Sequence, residues 1–323
     1  MSLAHRTAQP HTVTRVSHLD ALSSNELIDR LRLLGFAEQD ADDTRQAAHL
    51  VLADPAMTQS VSDHALRIGR AIGGFLESRA PAPVAEPESA VNLPGVMTSD
   101  VLKLLAFVAT SGDIAKFHRQ RGVSSGVSRA TLADLGRHVA LHRGVHGSLG
   151  LETHRWLELH WSGSLYQLGR LQLDLGRIDQ AGSWAAALPN GVRPGDWAPG
   201  VHIPEGAPLD EAAVRDSLAR FGPFLSDHFP EVTAVTLHCR SWMLDHRLAD
   251  VLPVESNLVR FQRLFELDGT STVGDQDIVY FVFHQRGLQD LDRLPRHTRL
   301  QRAVLDHLGE GGHWFIMQGW RPL

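Results

Sequence analysis

Residues 201–245 read VHIPEGAPLDEAAVRDSLARFGPFLSDHFPEVTAVTLHCRSWMLD. An apolar segment ends at Ile203, a turn bearing proline and glycine follows, and Asp210–His228 has the periodicity of an amphipathic helix. The apolar run Val232–His238 reads as a strand, and Cys239–Ser241 as the break after it. A strand, a helix and a second strand of these lengths form a crossover between parallel strands. Ligands on such units sit at the carboxyl ends of the strands. That directs attention to His202–Gly206 and His238–Trp242.

Toward the C-terminus the pattern predicts a short helix over Met243–Val251 and strands over Val259–Leu267 and Ile278–Phe283. A turn region, Gly269–Gly274, separates the two strands, and helix Thr298–Leu308 and strand Trp314–Gln318 end the chain. Upstream, Trp197–Ile203 is extended. Leu165–Leu168 and Leu171–Leu175 are strand-like, with Leu171, Leu173 and Leu175 on one face and Gln172 and Asp174 on the other. Before Gly150 only helical spacing recurs. Ser24 is a candidate cap for a helix over Leu27–Leu34, and Asp42–Ala53, Val61–Leu76, Ser99–Ser111, Ile114–Arg121 and Ser128–His146 follow, with Glu152–His160 a last helix. The proline-rich Ala80–Ser89 reads as a linker or exposed loop. The expected fold is α+β: an all-helical domain over residues 1–150, then a mixed α/β sheet domain over 151–323.

Length and composition narrow the function. A chain of 323 residues exceeds one ordinary domain, and 43% apolar with 21% charged residues is globular. No apolar run reaches the length of about eighteen that a membrane span needs. The N-terminus carries no apolar core of a secretory signal. The single cysteine, Cys239, fits a reducing cytoplasm. Net charge −6 without a basic block makes nucleic acid a poor partner. The expectation is a cytoplasmic protein acting on a small molecule, with no membrane and no nucleic-acid partner.

Several stretches carry a resemblance: RHVALHRGVHG (137–147), HWSGSLYQLGRLQLDLG (160–176), GVHIPEGAPLDEAAV (200–214), CRSWMLD (239–245), SNLVRFQRLFEL (256–267) and LPRHTRLQRAVLDHLGEGGHW (294–314). Together they resemble a bacterial acyltransferase family with a helical N-terminal domain and a GNAT-like (N-acetyltransferase-like) C-terminal domain. The resemblance implies a split between two parallel strands, here Trp197–Ile203 and Val232–His238, that receives acyl-CoA. It implies transfer of the acyl group to a small amine or hydroxyl acceptor, and no metal. Val201, Ile203, Gly206 and Ala207 would then meet the donor.

The loop Pro204–Leu209 departs from the family's pyrophosphate pattern, Gln/Arg-x-x-Gly-x-Gly/Ala. Pro204 and Pro208 have no N–H, no basic residue is present, and Asp210 and Glu211 stand at the helix start. The alternative reading is therefore a non-catalytic GNAT-shaped binding module that has lost the CoA pyrophosphate loop. For catalysis, Glu205 and His202 are the candidate bases and Ser241 the candidate acid or hydrogen-bond donor, with Cys239 as a second acid. Plainer readings stand beside them: a solvated Glu205, a half-buried His202, Ser241 as a helix cap and Cys239 as an inert core thiol. Trp161 and Trp242 read as core before pocket wall. His138, His142 and His146 recur at i, i+4 and i+8 without a fourth ligand, so a polar helix face is expected rather than a metal site. Arg260 and Gln262 share a face of the presumed strand Val259–Leu267.

Overall fold

Apolar residues at helical spacing build the first part of the chain around one interior helix. The structure, a computed structural model, describes residues 15–77, 98–178, 188–189 and 191–323. Helices α1 (Arg15–Ser23), α2 (Leu27–Leu33), α3 (Glu38–Leu52) and α4 (Pro55–Ala71) pack with α5 (Thr98–Gln120), α6 (Ser125–Leu132), α7 (Asp134–His146) and α8 (His154–Ser162). α5 is the interior helix: Val101, Leu104, Leu105, Ala106, Val108 and Ile114 are fully buried, so it is apolar around most of its circumference. It runs unbroken through the two stretches expected as Ser99–Ser111 and Ile114–Arg121. α4 starts at Asp54, whose carboxylate accepts from the Ala56 and Met57 N–H groups ahead of Pro55. Ser24 does not cap α2, where Glu26 holds that place without a side-chain bond. The expected helix Ser128–His146 is two, joined at Ala133. Gly136 of α7 lies against the Gly35 backbone with no room for a Cβ, and its N–H donates to the Leu34 carbonyl. The proposed linker Ala80–Ser89 lies outside the described residues.

The second part is one six-stranded sheet, with strand order β1-β2-β3-β4-β6-β5. Its strands are β1 (Leu165–Leu168), β2 (Leu171–Asp174), β3 (Gly200–His202), β4 (Thr236–Ser241), β5 (Glu266–Val273) and β6 (Phe315–Pro322). Among the described residues only β3 and β4 are parallel, joined by the crossover helix α9 (Glu211–His228). α10 (Leu248–Val251), α11 (Asn257–Gln262), α12 (Asp275–Phe283) and α13 (Arg299–Gly309) complete the chain.

Four expectations fail here. Cys239–Ser241 is no break: it pairs with Met317–Gly319 of β6, so the strand is shifted C-terminally from Val232–His238. Val259–Leu267 divides into α11 and the start of β5, and Ile278–Phe283 belongs to α12. The supposed turn Gly269–Gly274 lies mostly in β5, where a register shift between Leu267 and Ser271 absorbs Gly269 at φ +83°. Short apolar runs do not distinguish a buried helix from a strand. Here Ser256, accepting from the Val259 N–H, starts α11 as a helix.

The two faces of the sheet differ in chemistry. Leu171, Leu173, Leu175, Val201, Leu237 and Cys239 pack with Val214, Phe221, Phe224 and Leu225 of α9. Gln172, Asp174, His202 and His238 have the opposite parity and face the other way. The expected leucine stripe is therefore present, but its polar counterpart is turned toward the helical half. Ser217 of α9 anchors the β1–β2 turn: its buried Oγ accepts from the Arg170 and Leu171 N–H groups at 2.7 and 3.2 Å and donates to the Ala213 carbonyl. Ser217→Ala leaves two N–H groups short of an acceptor. It is expected to lower unfolding free energy by about 1–3 kcal/mol, measured by urea denaturation.

Candidate active site

The parallel ladder between β3 and β4 contains a single register pair, Gly200↔His238, with the His238 N–H donating to the Pro199 carbonyl. Beyond it each strand stays paired on its outer side. His202 lies opposite Gln172 on β2, and Cys239–Ser241 lie opposite β6. By strand alternation the Val201 carbonyl and the Arg240 N–H come next in line, yet no register pair joins them. This is a split in the sheet at the carboxyl ends of two parallel strands.

Three titratable side chains gather where the ladder stops. The His202 imidazole is 29% exposed, and its Nε2 lies 3.7 Å from Asp174 Oδ2 without a hydrogen-bond partner. Trp156, from α8, packs T-shaped on the His202 ring at 4.7 Å between centroids. His238 shares the face and packs on Trp320 at 5.6 Å. Burial lowers the His238 pKa to about 4 and the neighbouring His202 adds to that, so His238 is neutral at ordinary pH.

Beside this group runs a buried polar seam. Asp134, at the start of α7 and 1% exposed, accepts from His160 at 2.7 Å and Gln172 at 3.1 Å, and pairs with Arg137 at 2.5 Å. Burial alone would raise its carboxyl pKa. The hydrogen bond from His160 and the charges of His160, His138 and Arg137 outweigh burial and hold it well below the usual carboxylate range.

Past β3, tertiary contacts reverse the electrostatics expected of the Pro204–Leu209 loop. Asp210 caps α9 by accepting from the Ala212 and Ala213 N–H groups. Glu211 turns away to Arg215 and Arg260. Arg170, from the β1–β2 turn, reaches under the loop and donates to the Pro204 and Pro208 carbonyls at 2.9 and 3.0 Å. Glu205 meets His284 at 3.2 Å. Both line a cavity of about 340 Å³ with Gly206 and, from α7, Arg137, Ala140, Leu141 and Gly144. His284 closes α12 in the left-handed region at φ +54°.

The other singled-out residues do structural work. The Ser241 Oγ accepts from the Met243 N–H and opens a short 3-10 turn, Trp242–Leu244. Cys239 is 1% exposed, and burial pushes its thiol up to about 12. Trp161 is buried with its indole N–H on the Phe107 carbonyl, and Trp242 packs with Ile278, Val279 and Trp314. Arg260 and Gln262 do not share a strand face: they lie on α11, where Gln262 donates to the Met243 and Asp245 carbonyls. His138 bonds Thr153, His142 bonds the Ser148 carbonyl and His146 bonds Glu152. Among the described residues no cluster of histidine, cysteine and carboxylate side chains could hold a metal, and no helix is long and apolar enough to cross a membrane.

Residues 25–163 match the N-acyltransferase N-terminal domain, and residues 165–321 match the GNAT-like C-terminal domain. The chain is 34% identical to an acyltransferase solved in complex with decanoyl-CoA and teicoplanin, at a TM-score of 0.78, covering 93% of this chain and 88% of that one. The chain belongs to this GNAT-like acyltransferase family. An acyltransferase solved with decanoyl-CoA alone superposes at a TM-score of 0.79 with 30% identity, and one solved with CoA and 10C-teicoplanin at 0.78 with 33%, each over 93% of this chain and 88% of the other. No curated protein matches the chain. For this family member the expected fold and the expected acyl-CoA-dependent acyltransferase activity are borne out. The alternative of a non-catalytic module rested on the prolines of the loop, its lack of a basic residue and the acidic helix start; Arg170 reaches the loop from the β1–β2 turn, and Glu211 is paired with Arg215 and Arg260.

Sequence reasoning placed His202 and Glu205 near the site but missed Asp174, Trp156 and Arg170. Asp174 was legible as a carboxylate on the polar side of β2. Trp156 and Arg170 arrive from elements whose approach no local pattern encodes.

Burial lowers His118, His138 and His238 to about 4, with a nearby histidine charge adding to the effect in each case. In the unfolded chain such groups titrate near about 6.5. Because each folded pKa lies below its unfolded value, their contribution is complete above about pH 6.5 and is lost as pH falls toward about 4. Urea denaturation across that window should show stability falling with acidification, with uptake of up to about three protons on unfolding. His118→Gln should flatten the slope.

Proposed function

We propose that this acyltransferase works in the split between β3 and β4, with His202 as its general base, and that its acceptor is a teicoplanin-like molecule presenting an amine. The single observation that carries this reading is the end of the parallel ladder at Gly200↔His238, with His202 and Asp174 beside it. The acceptor class follows the teicoplanin bound by one relative.

The unmatched backbone groups, the Val201 carbonyl and the Arg240 N–H, are partners for the amides of a pantetheine arm, and the Ile203 N–H lies next along the chain. Gly206 and Ala207 sit exposed at the loop, where a ligand can approach the backbone closely. With the thioester between the strands, a backbone N–H polarises its carbonyl. The acceptor nitrogen attacks the carbonyl carbon, His202 takes the nitrogen's proton, and the C–S bond breaks. The proton on His202 is then available to the departing thiolate. Asp174 offsets the positive charge that His202 gains, and neutral His238 adds none to oppose it.

Glu205, the first of the two expected bases, lines the cavity with His284 in this reading, where its carboxylate draws in a cationic amine. Ser241, the expected acid, keeps its capping role in this reading. The two parts of the chain, divided near residue 150, both frame the site, since Arg137 comes from the first and Trp156 and His202 from the second.

His202→Ala should lower kcat by about 10²–10⁴-fold while the thermal shift produced by decanoyl-CoA persists. A variant that keeps its full kcat removes His202 from the mechanism.

A further inference from the structure

No hydrogen bond holds the Nε2 side of His202, which stops 3.7 Å from Asp174 Oδ2 and has no bonding partner. A partly exposed imidazole on a three-residue strand has several staggered rotamers open to it unless its neighbours confine it. Two neighbours are placed to do so. Trp156 packs T-shaped on the ring, and Gln172 is the cross-strand partner of His202 on the same face of the sheet. Both lead back to one buried pair. Asp134 Oδ2 accepts from His160 Nε2 at 2.7 Å and from the Gln172 amide at 3.1 Å, and all three residues are at most 1% exposed. His160 follows Trp156 by one turn of α8. Its ring stands at 70° to the indole, 6.0 Å between centroids, with Nδ1 3.4 Å from the Trp156 carbonyl. A buried carboxylate bonded to two buried donors is confined to one position, and it confines the His160 ring and the Gln172 side chain in turn.

We propose that the buried Asp134–His160 pair is a positioning unit for the catalytic base: it fixes Trp156 and Gln172, and these fix the orientation of the His202 ring. The proposal rests on the reading of His202 as the base and adds two residues that act on the reaction only through it. The geometry asks for such a unit because a base must meet the acceptor's proton within a narrow range of distance and angle. Packing supplies the orientation that a hydrogen bond to Asp174 does not.

The test places Asp134→Asn and His160→Gln in wild type and in a His202→Ala background, with decanoyl-CoA as donor and deacylated teicoplanin as amine acceptor. Asp134→Asn removes the charge and keeps the ring. His160→Gln keeps an amide nitrogen where Nε2 stands and removes the ring, so it carries the comparison if Asp134→Asn does not fold. Each is expected to lower kcat by about 10–10²-fold with His202 present, while KM for decanoyl-CoA stays within about twofold. With His202 replaced by alanine, the same substitutions should change the residual kcat by less than about twofold. The ring resonances of His202, followed by NMR, should broaden or double in Asp134→Asn. An equal loss with and without His202 would mean that the pair only holds the fold, and would overturn the proposal. So would full kcat in both variants, or His202 resonances that do not change. Full kcat in His202→Ala alone would sink the base reading and this proposal with it, a result distinct from a His202-dependent enzyme indifferent to Asp134.

Discussion

The carboxylate of Asp134 is the constraint on which the site depends. A sheet face carrying Gln172, Asp174, His202 and His238 can be buried only if its polar groups find partners. Asp134 supplies that at the first turn of α7, joining His160 of α8, Gln172 of β2 and Arg137 in one seam. A carboxylate so nearly buried is costly to isolate, so loss of a partner is felt through the whole contact between helices and sheet. The helical half thereby becomes a wall of the active site. Its α8 brings Trp156 against His202, and its α7 brings Arg137, Ala140 and Leu141 to the cavity.

The split is the second consequence of the same arrangement. β3 has three residues and is held mainly by β2, while β4 is held along its length by β6. The parallel junction between them therefore survives over one pair only, and backbone groups beyond it remain for a substrate. α12 approaches the same end of the sheet, following β5, and its C-terminal His284 meets Glu205. Glu152 ties that region to the helical half through His146, Tyr280 and Arg286. Burial would raise the Glu152 carboxyl pKa, but Arg286 and His146 prevail and lower it, which keeps the tie ionic.

Legibility differed sharply between elements. The amphipathic helix from Asp210 and its cap, the leucine stripe of β2 and the capped helix after Thr298 were all readable, because local spacing and capping chemistry encode them. β5, α11 and α12 were misread where short apolar runs suit either structure. Loop electrostatics were misread for a different reason. Asp210 and Glu211 are acidic neighbours of the loop in sequence, but their charges are answered by backbone N–H groups and by Arg215 and Arg260.

The sequence by itself determined that helices precede the sheet, the crossover unit around α9, and the presence of His202 and Glu205 at the carboxyl end of β3. These are properties of adjacent residues, set by backbone geometry and by the periodicity of apolar side chains. Only the tertiary structure decided that the polar face of β2 and β3 is an interior surface, that Asp174 and Trp156 flank His202, and that Arg170 lies under the loop. The reason is physical. Charge and hydrogen-bond pairing act over a few ångströms in space, and here the partners stand some thirty to fifty positions apart along the chain, so no local pattern can carry them.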